Sequence, residues 1–196
     1  KEGVKPIIGI EAYVTPETAR QDQTRVSWDT NWNPDIDPQH RRRNPNDVSG
    51  GGLITHLTMW AETDEGLVNL MKASTDANLE GRVMRYPRMD KEILAKYSKG
   101  IIASSGCPSG IIQTRLLLGQ FDEALRAAGE LQDIFGRDNF YIEFMDHGLK
   151  IEKQVTDGLL DIAKKLNAPL LATNDSHYVR AEDAGSQDAM LCINSG

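Results

Sequence analysis

The side chains best suited to chemistry fall in a few short stretches: Glu11, His56, Cys107, the group Glu143, Asp146 and His147, and the pair Asp175 and His177. Carboxylate, imidazole and thiolate groups are the ligands that zinc, manganese and iron accept. Asp175-Ser176-His177 has the sharpest spacing. In an extended chain, residues two apart point to the same side, so this carboxylate and imidazole are expected to face a common point. The competing reading makes Asp175 a turn cap and His177 a partly buried polar residue. His56 sits in Leu53-Ile54-Thr55-His56-Leu57-Thr58-Met59. Alternation there groups it with Ile54 and Thr58 on one face, against Leu57 and Met59 on the other. A satisfied core histidine is the plain alternative to a ligand. Cys107 is either a small buried hydrophobe or, as a thiolate, a ligand that favours zinc. Glu11 is a carboxylate between Ile10 and Ala12 in an apolar stretch, and a buried carboxylate requires a partner, of which a metal is one. Cys192 has no such neighbours and reads as core.

Separated residues of this kind need a scaffold that brings them to one rim. Strands are predicted over residues 6–14, 53–61, 100–104, 139–145 and 169–173 from β-branched and aromatic runs. Helices are predicted over 64–78 with Thr63 or Asp64 as cap, and over 91–97 with Asp90 as cap. Others follow over 109–118, ended by Gly119, over 121–135, closed by Gly136, over 149–166, and from about 181 onward. Strands alternating with helices predict parallel strands joined by crossover helices, in an αβ barrel or a doubly wound sheet. Active sites of such folds assemble at the C-terminal edge of the sheet, where the five predicted strands deliver the candidate ligands.

The chain has 196 residues, 39% hydrophobic and 26% charged, which suits one domain with a buried core. No apolar run approaches the roughly 18 residues of a membrane span. Lys1 begins the chain with no apolar segment after it, so no signal peptide is expected, and the chain reads as cut from something longer. Two cysteines make no disulfide framework and point to a reducing, cytoplasmic setting. A net charge of -7 argues against a chain that grips nucleic acid unaided. Residues 15–52 read as a long loop with Trp28, Trp32 and the run Arg41, Arg42, Arg43. That run is either solvated charge or a basic contact for a polynucleotide or a neighbouring domain.

Several stretches together resemble one family: Lys5-Pro6-Ile7-Ile8-Gly9-Ile10-Glu11-Ala12-Tyr13, Thr55-His56-Leu57-Thr58 and Ser105-Gly106-Cys107-Pro108-Ser109-Gly110. To these are added Asp146-His147-Gly148, Ala172-Thr173-Asn174-Asp175-Ser176-His177-Tyr178 and Leu191-Cys192-Ile193-Asn194-Ser195-Gly196. They are similar to the polymerase and histidinol phosphatase (PHP) domain of bacterial DNA polymerase III alpha subunits, in its actinobacterial form. The likeness runs along nearly the whole chain outside the 15–52 loop. It implies an α/β fold, a distorted seven-stranded TIM-like αβ barrel with a cluster of metal ions at its mouth, present over 1–196 as an incomplete barrel. Glu11, His56, Cys107, Asp175 and His177 match family ligand positions, Asp175 and His177 acting in catalysis through bound metal. Glu143, Asp146 and His147 do not match ligand positions and stand as flanking or substrate-side candidates. Four further family ligands, an H-x-H pair, an aspartate and a histidine, belong ahead of Lys1.

The chemistry that the resemblance implies is metal-assisted phosphodiester hydrolysis, in which divalent ions lower the pKa of water and offset charge on the phosphate. In the intact parent, a DNA-directed DNA polymerase of DNA replication, this is a 3′→5′ proofreading exonuclease working on DNA among other replisome subunits. The polymerase's own magnesium site belongs to another part of that parent. Two alternatives remain open: a catalytically silent structural or interaction module of the polymerase, and a stand-alone metal-dependent phosphatase. An incomplete barrel also predicts that the first strand, over 7–13, is an exposed edge or pairs with another copy.

Overall fold

A computed structural model describes residues 3–26, 28 and 51–195. Strand β1 (Gly9–Val14) leads to β2 (Thr55–Ala61), helix α1 (Asp64–Glu80), the short strands β3 (Arg82–Val83) and β4 (Tyr86–Met89), and α2 (Lys91–Tyr97). Then come β5 (Ile101–Ser104), α3 (Ile111–Leu117), α4 (Phe121–Phe135), β6 (Phe140–Phe144), α5 (Lys150–Leu166), β7 (Leu170–Ala172), a 3-10 turn (Ala181–Asp183) and α6 (Ala184–Ser195). The strands form one seven-stranded sheet in the order β3-β4-β1-β2-β5-β6-β7, which does not close into a barrel. This fits an incomplete TIM-like barrel.

The expectation of uniformly parallel strands needs correction. Strands β4, β1, β5, β6 and β7 run one way, whereas β2 is antiparallel to both of its neighbours and β3 is antiparallel to β4. A parallel neighbour requires a long crossover, usually helical, whereas an antiparallel one does not. The 15–54 connection has no helix among its described residues, and β2 returns alongside β1 in reverse. Nor is β1 an edge: it lies between β4 and β2, and the outer strands are β3 and β7. The β3–β4 pair escaped the sequence reading because β3 has two residues and β4 contains Pro87, a residue that disfavours strands.

Alternation sets the two faces of the sheet. Ala12, Val14, Leu57, Met59, Ala103, Phe140 and Ile142 point to the core. Helices cover that face with apolar stripes: Leu70, Ala73 and Ala77 of α1; Ala124, Ala127, Ala128 and Leu131 of α4; Val155, Leu159 and Ile162 of α5. Thr63 caps α1 by accepting from the Gly66 N–H at 3.1 Å, and Asp90 caps α2 through Ile93. Cys192, expected in the core, is exposed on α6.

The start of the long loop is strapped to the rest of the domain, although most of its residues are exposed. The guanidinium of Arg20 pairs with Glu80, Asp90 and Glu92. Buried Trp28 lies under the Arg115 guanidinium at 4.7 Å, and Glu17 pairs with Arg115 and Arg126. Val26 donates to the Gly52 carbonyl at 2.8 Å, bringing the two ends of the loop together. Trp32, Arg41, Arg42 and Arg43 lie outside the described residues.

Candidate metal centre

The pairing of β1 with β2 sets Glu11 opposite Thr58 and Tyr13 opposite His56, so all four side chains share the face turned away from the core. His56 Nδ1 lies 2.7 Å from Glu11 Oε1. Because β2 runs in reverse, its first residues lie level with the C-terminal end of β1, the rim to which β5 also points. The chain leaves β5 through a tight turn. Gly106 adopts φ 80, and a Cβ there would meet the His56 carbonyl oxygen at 3.1 Å. The Gly110 N–H donates to the Cys107 carbonyl at 2.8 Å, and the His56 N–H donates to Ser109 at 3.1 Å. This turn delivers Cys107 Sγ to 3.4 Å from His56 Nδ1 and 3.5 Å from Glu11 Oε1. One oxygen, one nitrogen and one sulfur thus lie within 4.8 Å of one another.

The electrostatics favour a cation. Burial pushes the Cys107 thiol up to about 12, with the carboxylates of Glu11 and Asp175 adding to the shift. The hydrogen bond from His56 leads in holding Glu11 below the usual carboxylate range, against the opposing effect of burial. A thiol facing carboxylates is poorly ionised by itself, and a positive ion among these donors removes that penalty. The oxygen, nitrogen and sulfur donor set fits a zinc-type ion.

Asp175 and His177 stand beside this group and not within it. Beyond β7 the chain does not continue extended: Asp175 adopts φ 44, and His177 Nδ1 lies 2.7 Å from the Asp175 carbonyl oxygen. The spacing argument for Asp175-Ser176-His177 assumed an extended chain, so it does not describe this turn. Both residues are exposed. Their charges still reach the group, His177 acting on Glu11 and Asp175 on Cys107. With Pro108, Met145, His147 and Tyr178 they line an open cleft of about 620 Å³.

The remaining candidates divide by environment. Glu143 is 3% exposed, and its carboxylate accepts from the hydroxyls of Ser104 and Thr173. Asp146 accepts from the Gly148 N–H at 3.2 Å, a local turn contact. His147 Nδ1 lies 2.6 Å from Glu152 Oε1, while Glu152 Oε2 accepts from the N–H groups of His147 and Leu149. That contact raises His147 above the usual imidazole range. Burial pushes Glu152 upward, yet the bonds from His147 and Leu149 bring it below its ordinary value. Sequence reasoning missed Tyr13, whose ring stands 5.4 Å from that of His56 and 5.1 Å from that of Tyr86. Its place two residues after Glu11 was the available signal. No local pattern marked Ser104, Thr173 or Gln113.

The sequence is similar to those of known proteins. The chain is 50% identical over 196 residues to the DNA polymerase III subunit alpha of Mycobacterium tuberculosis, 52% identical to that of Saccharopolyspora erythraea, and 37% identical over 193 residues to that of Thermus aquaticus. All of the chain is covered in the first two cases and 98% in the third. The chain spans only 14–16% of the length of these relatives. The model of the PHP domain family matches residues 1–147, the span that holds Glu11, His56 and Cys107, and the chain belongs to that family.

Proposed function

We propose that this chain is the metal-holding domain of a replicative DNA polymerase alpha subunit, acting in DNA replication in the bacterial cytoplasm. In the intact protein its site hydrolyses phosphodiester bonds as a 3′→5′ proofreading exonuclease. The observation that carries this reading is the convergence of Glu11, His56 and Cys107 within 4.8 Å. The full-length coverage by relatives named DNA polymerase III subunit alpha supports it. Glu11, His56 and Cys107 hold a zinc, manganese or iron ion, and Asp175 and His177 join them when the exposed segment after β7 turns inward. A divalent ion so held supplies acidified water and charge neutralisation at the scissile phosphate. His147, raised in pKa at the cleft wall, adds positive charge toward a phosphate. With a net charge of -7, this chain leaves most of the grip on DNA to the rest of the polymerase and to Arg41, Arg42 and Arg43. The magnesium site for synthesis and the contacts with replisome subunits belong to that remainder.

The test is Asp175→Asn in the full-length polymerase, measured as digestion of a mismatched primer end with primer extension as control. Digestion is expected to fall to background while extension persists. Unchanged digestion overturns the exonuclease reading and leaves the domain as a brace within the polymerase.

A further inference from the structure

Glu143 is a buried carboxylate that the proposed chemistry does not use. It sits on β6, between β5 and β7. Phe140 and Ile142 point into the core, so alternation places Glu143 on the opposite face, the one that carries Glu11 and His56. Among the described residues no cation pairs with it. Its contacts are instead with the two flanking segments. Ser104, the last residue of β5, donates its hydroxyl to Glu143 Oε2. Thr173, the residue after β7, donates its hydroxyl to Oε1. The Glu143 N–H donates to Ser105 Oγ at 2.9 Å, and that hydroxyl also contacts the Glu143 carbonyl at 3.4 Å. Gln113 then ties Ser105 Oγ, at 3.2 Å, to the Gly106 carbonyl, at 2.6 Å, directly before Cys107.

We propose that Glu143 is a positioning residue, whose carboxylate clamps the turn bearing Cys107 to the segment bearing Asp175 and His177. The inference rests on the metal-centre reading above and deepens it. Strand β7 has three residues, lies at the edge of the sheet, and leads into an exposed stretch. Its continuation is held to β6 by two described bonds, Thr173 Oγ1 to Glu143 and the Thr173 N–H to the Phe144 carbonyl at 3.3 Å. Removing the carboxylate frees one ligand-bearing segment and loosens the other. A glutamine of the same shape keeps one carbonyl acceptor, and its amide donates to a hydroxyl that has turned round.

The experiment compares Glu143→Ala, Glu143→Gln and Thr173→Val in the full-length protein by two measurements. Hydrogen exchange of peptides covering residues 170–173, whose amides include the Thr173 N–H bonded to Phe144, reads the clamp itself in metal-free protein. Competition with a chelator for Zn²⁺ reads the consequence, with His56→Ala marking the loss of a ligand. Expected are faster exchange at 170–173 in Glu143→Ala and Thr173→Val, near-parental exchange in Glu143→Gln, and zinc affinity about 10–100-fold weaker in Glu143→Ala, as for other groups that orient ligands. Thr173→Val swaps a hydroxyl for a methyl group and still reads the clamp if Glu143→Ala does not fold. Unchanged exchange in both variants overturns the inference whatever the metal result. Equal zinc binding by parent and His56→Ala overturns the metal-centre reading instead, and the exchange result still decides the clamp.

Discussion

Arg88 is fully buried on β4, and its hydrogen-bond acceptors are main-chain carbonyls. Nη2 donates to Arg20 at 2.6 Å and to Asp22 at 2.9 Å; Nη1 reaches Leu53 at 3.3 Å and Nε reaches Gly81 at 3.4 Å. The guanidinium therefore ties both ends of the long loop to the sheet. Arg88→Met keeps most of the apolar stem and removes every donor. Bonds from charged donors are worth about 1.5–3 kcal/mol each, and the two short ones dominate. The Asp22 carbonyl, in an exposed stretch, regains water, and loss of a buried charge returns part of its desolvation penalty. The net effect expected is about 2 kcal/mol, applied locally to residues 20–26. At about 1.4 kcal/mol per tenfold change, amide exchange in those peptides rises roughly thirtyfold, while exchange in α4 and α5 stays put. Arg88→Lys gives a smaller rise, because one ammonium cannot reach carbonyls on several sides. Exchange at 20–26 within threefold of the parent in Arg88→Met would refute the argument and assign the strap to Arg20 and Glu17.

Two further outcomes follow from the site. The His147–Glu152 contact contributes fully between about pH 4.5 and 6.5, the ordinary values of the two groups; it is lost as pH rises through the raised value of His147, or falls through the lowered value of Glu152. Glu152→Gln is therefore expected to lower the His147 titration midpoint followed by NMR, and an unmoved midpoint would count against the pairing. In metal-free protein, iodoacetamide at pH 8 is expected to label exposed Cys192 well before buried Cys107, whose thiol is pushed up to about 12; equal rates by peptide mass mapping would contradict that burial.

Helices and most strands were legible because they are local. Asp90 before an apolar run, Gly136 after one, and Val155, Leu159 and Ile162 on one face each declare an element within a few residues. Strand direction is not local. Alternation tells which face Leu57 and Met59 occupy but not which way the strand runs, so β2 was given the wrong sense. The turn at Asp175 was equally hidden: aspartate is one of the few residues that tolerates a left-handed backbone, and nothing nearby demands it. The strap over the loop depends on Arg20 meeting Glu80, Asp90 and Glu92, 60–72 residues away. No spacing rule reaches that far.

The reversed strand makes the convergence of Glu11, His56 and Cys107 possible. His56 is the second of seven residues in β2. If β2 ran parallel to β1 over the same span, His56 would lie level with Ile10 instead of Tyr13, on the core side of the sheet and about 10 Å lower at 3.3 Å per residue, away from the rim that carries Cys107. The same pairing fixes the face. A slip of one residue would turn His56 toward α1 and α4 and present Leu57 to the cleft. What forbids the slip is apolar: Ala12 opposite Leu57 and Ile10 opposite Met59 bury the core side of the pair. The side chains that hold the centre in place are thus those on the opposite face of the sheet. Substitutions at Leu57 or Met59 are therefore expected to disturb the convergence of Glu11, His56 and Cys107 through strand register, without touching any of the three.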